Sequence, residues 1–98
     1  MDKVVNVIGV EATLEQCAEE CSELSQACLK MARKLRGDNP TPKTMEEINN
    51  DLHEEIADVL VCIDVLYNAG VLSAEHIHSI VKIKSDRWLQ RLDERKKK

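Results

Sequence analysis

Two long stretches without proline or glycine, joined by a segment that cannot be helical, limit what this chain can become. From Leu14 to Leu35, the residues Leu14, Cys17, Cys21, Leu24, Cys28, Met31 and Leu35 recur at alternating steps of three and four. From Met45 onward, Met45, Ile48, Leu52, Glu55, Val59, Cys62 and Leu66 keep the same rhythm. Such a rhythm is the seam by which one helix packs on a neighbour. Between the stretches, Gly37 supplies a helix stop, and Asp38-Asn39-Pro40-Thr41-Pro42-Lys43 enforces a loop.

The punctuation agrees with the periodicity. Thr13 with Gln16, and Thr44 with Glu47, are capping-box patterns. Gly70 closes the second stretch, and Ser73 caps a third, with Glu75 in the first turn where the helix dipole favours an anion. The expectation is helices over about 14–36, 45–69 and 74–95 within one domain spanning 1–98. Residues 1–11, Val-rich and carrying Gly9, read as an extended arm, although periodicity does not separate an arm from a brief strand. The fold class expected is all-α, an antiparallel helical bundle.

A chain of 98 residues with no Phe, one Trp and one Tyr must build its core from Leu, Ile, Val, Ala, Met and Cys. So small a core is often completed by pairing, which makes a homodimer or homotetramer the expected assembly. A net charge of -4 argues against a nucleic-acid partner, and the basic cluster Arg95, Lys96, Lys97 and Lys98 reads as a solvated helix end. No stretch has the length of a membrane span and the start lacks a signal-peptide layout, so a cytoplasmic location is expected. Cys17, Cys21, Cys28 and Cys62 form no CxxC pair and read as reduced, small core hydrophobes.

Two acidic clusters break the pattern. Glu19, Glu20 and Glu23 crowd beside the first seam, and Glu55 occupies a position that the second seam assigns to a hydrophobe, with Asp58 three residues on. An unpaired carboxylate in a helix interface costs several kcal/mol, and Leu would avoid that cost. If the two helices face each other, Glu20, Glu23, Glu55 and Asp58 form an oxygen-rich cage suited to a hard cation, magnesium above all.

The ordered pair Glu19-Glu20-Cys21-Ser22-Glu23 and Glu55-Ile56-Ala57-Asp58 resembles the EExxE and ExxD signature of the MazG-like, all-alpha nucleoside triphosphate pyrophosphohydrolases. Gly9 to Leu35 and Asn50 to Leu66 look like its small phage and bacterial members. The resemblance implies a MazG-like bundle completed by oligomerisation, with Glu20, Glu23, Glu55 and Asp58 as ligands for Mg2+, or for Mn2+ as a substitute. Glu19 and Glu54 would assist the attacking water, and Lys82 and Arg87 would contact phosphates. Asp86, where some relatives have Asn, departs from the pattern. The implied reaction cleaves a nucleoside triphosphate between the alpha and beta phosphates, in nucleotide-pool house-cleaning. Specificity for dUTP, dCTP or phosphoribosyl-ATP is the alternative within that chemistry, and a non-catalytic acidic interaction module is the alternative outside it.

Trp88 shares a helical apolar spacing with Val81 and Leu92, which reads as packing rather than base stacking. His53, His76 and His78 fall in no motif, and Lys30, Arg33 and Lys34 read first as compensation of the helix dipole.

Overall fold

The computed structural model describes residues 2–37 and 42–96, so residues 38–41 of the loop expected at 38–43 and the last two lysines lie outside the described residues. Those residues are helical with no strand: α1 spans Asp2–Arg36, α2 spans Met45–Asn68 and α3 spans Ala74–Lys96. None of these helices is long and apolar enough to cross a membrane.

The first turns differ from expectation. Residues 2–8 are helical rather than an extended arm, and they join the rest of α1 across a break at Gly9 with φ 87 and ψ 163. That backbone region is essentially restricted to glycine, which is why the break falls there and not at Thr13. Thr13 is accordingly no N-cap. Its Oγ1 donates to the Gly9 carbonyl at 2.8 Å, the back-bond a threonine makes inside a helix, and Gln16 Nε2 turns instead to Glu20 Oε1 at 2.8 Å.

The other boundaries follow their chemistry. Gly37 ends α1 in a left-handed conformation. Thr44 Oγ1 accepts from the Glu47 N–H at 3.1 Å while Glu47 Oε1 accepts from the Thr44 N–H at 3.1 Å, a complete capping box. At the far end of α2 the Val71 N–H reaches back to the Leu66 carbonyl at 3.0 Å around Gly70, closing a Schellman-type turn. Ser73 Oγ then accepts from the His76 N–H at 3.2 Å to open α3.

α1 and α2 pack antiparallel. Ala27 shares a groove with Ile48 at one end of the pair, and Val5 and Asn6 lie beside Asn68 and Ala69 at the other. The core is narrow: Ala27 from α1 and Ile48, Val59, Cys62, Val65 and Leu66 from α2 are its buried apolar residues. The α2 seam therefore falls where its rhythm placed it. The α1 seam does so only in part: Cys17, Leu24 and Met31 are half-buried, but Leu14, Cys21, Cys28 and Leu35 are exposed, and the deepest apolar contact is made by the small Ala27.

α3 has no buried residue and leaves the α1–α2 pair, so within one chain the expected bundle is a helical hairpin with a projecting third helix. The result is flat and extended, 47 × 40 × 18 Å with a radius of gyration of 17.4 Å.

Candidate metal centre

The antiparallel pairing brings the two acidic clusters to the same level. Glu20 and Glu23 stand one turn apart on α1, opposite Glu55 on α2, and one carboxylate oxygen from each lies within 4.8 Å of the others. Glu20 and Glu55 are half-buried and Glu23 is exposed. Glu20 Oε2 and Glu55 Oε2 have no access to solvent and no hydrogen-bond partner. Burying unpaired carboxylate oxygens is costly unless something supplies positive charge or protons.

The electrostatics carry that cost. Burial, followed by the charges of Glu23 and Asp58, a hydrogen bond with Glu23 and the charge of Glu20, holds the Glu55 carboxyl above its ordinary range. Beneath the cluster, burial and then the charges of Glu20 and Asp58 push the Cys62 thiol up. Burial, and then Cys21, likewise raise Cys17. These two thiols stay protonated at neutral pH, and all four cysteines are free, but Cys21 and Cys28 are exposed and Cys17 is half-buried, so only Cys62 is the small core hydrophobe expected of all four.

The other expected site residues are placed less closely. Asp58 is exposed on α2, near enough to act on Glu55 but outside the close group of oxygens. Glu19 and Glu54 are exposed beside Glu20 and Glu55 on their respective helices. Lys82 and Arg87 are exposed on α3, with no hydrogen bond or ion pair to the acidic group among the described residues. His53 is occupied locally, its Nδ1 lying 2.7 Å from the Asn49 carbonyl oxygen.

A groove of about 410 Å³ runs from the carboxylates along the α1–α2 junction. Glu23 and Glu55 line its acidic end, Ala27 and Ile48 its floor, and Gln26, Lys30, Lys43 and Asp51 the remainder. Lys43 Nζ donates to Asp51 Oδ2 at 2.7 Å, and that hydrogen bond holds the ammonium above its ordinary pKa. Lys30 thus sits on the groove and not merely at a helix end.

Sequence reasoning missed Gln16, Gln26, Lys43 and Asp51. Gln16 precedes Glu20 by one helical turn, a spacing that signals a side-chain pair. Lys43 and Asp51 meet across the α2 cap, and nothing in their separation of eight residues announces it.

No protein-family profile matches this chain, and neither a curated protein nor a solved structure matches it significantly.

Proposed function

We propose that the chain is a magnesium-dependent hydrolase acting on an acid anhydride, cleaving a nucleoside triphosphate between the alpha and beta phosphates to a nucleoside monophosphate and pyrophosphate. The supporting observation is the convergence of Glu20, Glu23 and Glu55 with two sequestered, unpartnered oxygens, at residues that also carry the EExxE and ExxD resemblance.

The residues fit a hard divalent cation. Every donor is a carboxylate oxygen, the two orphaned oxygens would gain partners on binding, and a cation would offset the burial and the neighbouring negative charges that raise the Glu55 pKa. Glu20, Glu23 and Glu55 would hold the ion, with Asp58 beside them. When bound, it neutralises charge on phosphoryl oxygens and acidifies a coordinated water.

The chain's own groups do the remaining work. Gln16 orients Glu20 through its 2.8 Å hydrogen bond. The half-buried setting of Glu20 and Glu55 limits competing water. Glu19 and Glu54 position the attacking water and take up its proton. Its oxygen bonds to the alpha phosphorus, the bridging P–O bond breaks, and the electron pair leaves with pyrophosphate. Lys30 and Lys43 along the groove, and Lys82 and Arg87 from α3, counter the charge of the polyphosphate.

The nucleotide is a common triphosphate, or in the narrower reading dUTP, dCTP or phosphoribosyl-ATP. The protein works in the cytoplasm on nucleotide-pool house-cleaning, as an assembly of two or four copies. The uncovered α3 favours a second reading, in which the chain is an acidic helical interaction module without catalysis.

Incubating the purified chain with each common nucleotide, with and without Mg2+, and scoring pyrophosphate against phosphate separates these readings. Metal-dependent pyrophosphate release is expected. Absence of turnover on every nucleotide, together with no divalent binding, leaves the interaction module.

A further inference from the structure

Positive charge in the α1–α2 pair is concentrated at one end. Apart from Lys3, the Lys and Arg of α1 are Lys30, Arg33, Lys34 and Arg36, close to its C-terminus, and α2 has none. Lys43 stands just before α2, at the same end. The group formed by Glu20, Glu23 and Glu55 lies further along the pair, and the groove of about 410 Å³ joins it to that basic end. In the opposite direction α2 buries Val59, Cys62, Val65 and Leu66 and supplies no cation.

The two lysines of the groove are not equivalent. Lys43 Nζ is engaged by Asp51 at 2.7 Å, so much of its charge is met within the groove itself. Lys30 is exposed, lines the same groove and has no hydrogen bond or ion pair among the described residues.

Lys30 follows Glu23 by two turns on nearly the same edge of α1, about 10 Å along the helix axis. Side chains on a helix lean toward its N-terminus, so the Lys30 ammonium extends back over Gln26 and Ala27 toward the carboxylates. A phosphate chain can span what separation is left. An ion held by the carboxylates draws in the phosphates that flank the scissile link. Along the helix junction, the direction in which the rest of the polyanion meets positive charge is toward Lys30. The uncharged nucleoside is then turned the other way.

The geometry points to Lys30 as the residue that reads the terminal phosphate, selecting a nucleoside triphosphate over the corresponding diphosphate. A diphosphate held by the ion in the same way ends one anhydride link short of the ammonium. When the link between the alpha and beta phosphates breaks, the same ammonium meets the charge on the departing pyrophosphate. The identity of the anion rests on the hydrolase reading, and the role of Lys30 can fail while that reading stands.

The test measures equilibrium binding to the full chain in Mg2+ of the α,β-methylene analogues of one nucleoside triphosphate and its diphosphate, in which a carbon replaces the scissile bridging oxygen. Wild type should prefer the triphosphate by at least about tenfold, the scale of one hydrogen bond between charged groups. Lys30→Met should remove most of that preference, and Lys30→Arg should keep it. Lys3→Met, the same change of charge at the far end of α1, should leave the preference as in wild type. Mg2+ binding without nucleotide, by calorimetry, should be alike in all four proteins.

Equal weakening of both analogues in Lys30→Met, an undiminished preference in that variant, an altered Mg2+ affinity, or no preference in wild type would overturn the assignment. Pyrophosphate release by wild type, scored in parallel on the cleavable triphosphate, separates the two readings. Release with a preference indifferent to Lys30 sinks the role of Lys30 alone. A preference that depends on Lys30 without release sinks the hydrolysis and supports the phosphate site.

Discussion

Glu23 on α1 and Glu55 on α2 meet across the helix pair with carboxylate oxygens inside a group no wider than 4.8 Å, and a hydrogen bond between them contributes to the raised pKa of Glu55. Two acids at that separation share protons in the absence of a cation and share the cation in its presence. The first two predictions follow from this pairing.

Divalent affinity should rank the carboxylates by their place in the group. Glu20→Gln and Glu55→Gln should each weaken Mg2+ or Mn2+ binding by more than about a hundredfold. Asp58→Asn and Gln16→Ala should weaken it by roughly tenfold, the lower end of what partners outside the immediate ligand set contribute. Isothermal titration calorimetry on the four variants reads this directly. Equal effects at all four positions would mean that the cluster is a diffuse acidic surface.

Stability without metal should depend on pH in a direction set by Glu55. Its folded pKa lies above its ordinary value of 4.5, so its stabilising contribution is complete below that value and is lost as pH rises through the folded pKa. Glu55→Gln should therefore melt higher than wild type at pH 7.5 in chelator, and the gap should close toward pH 4. Adding Mg2+ at pH 7.5 should raise the wild-type melting temperature and leave that of the variant nearly unchanged. A gap that ignores both pH and Mg2+ in thermal melts contradicts the assignment.

The cap on α2 titrates with the opposite sign. The Thr44 backbone N–H, and then its side chain, hold the Glu47 carboxyl below its ordinary range, so this contribution is present above 4.5 and fades as pH falls through the folded pKa. Thr44→Ala should destabilise the chain by about 1 kcal/mol at pH 7, and Glu47→Gln, which removes the titrating group, should destabilise it at pH 7 and no longer do so in acid, in urea titrations followed by circular dichroism.

The narrow core makes single truncations expensive. Ile48 and Leu66 are each 3% exposed, and replacing either by Ala should remove about 2–4 kcal/mol. Leu35→Ala, at a position 70% exposed, should change stability by less than about 0.5 kcal/mol. The contrast, measured by denaturant unfolding, tests whether the packed face of α1 runs through Ala27 and not through the outer leucine.

The sequence announced helix ends wherever the chemistry was local. Thr44, Gly37, Gly70 and Ser73 act within a few residues of themselves, and each does in the structure what its type implies. The intrusion of Glu55 into an otherwise apolar rhythm marks the acidic group in the sequence itself. Features that depend on a partner were illegible. Thr13 with Gln16 has the letters of a cap, but Gly9 offers a cheaper place to break the helix and the pair turns to other tasks. The α1 rhythm admits more than one face, and only packing against α2 chooses the one through Ala27. Periodicity on α3 marked a stripe for burial without indicating that the same chain would not bury it.

The projection of α3 divides the molecule thermodynamically. Backbone amides near Ala27, Val59 and Leu66 are guarded by side chains that must separate before water enters, whereas those of α3 in a lone chain are guarded only by the helix's own turns. Exchange with deuterium should thus proceed in two waves, the α3 wave first.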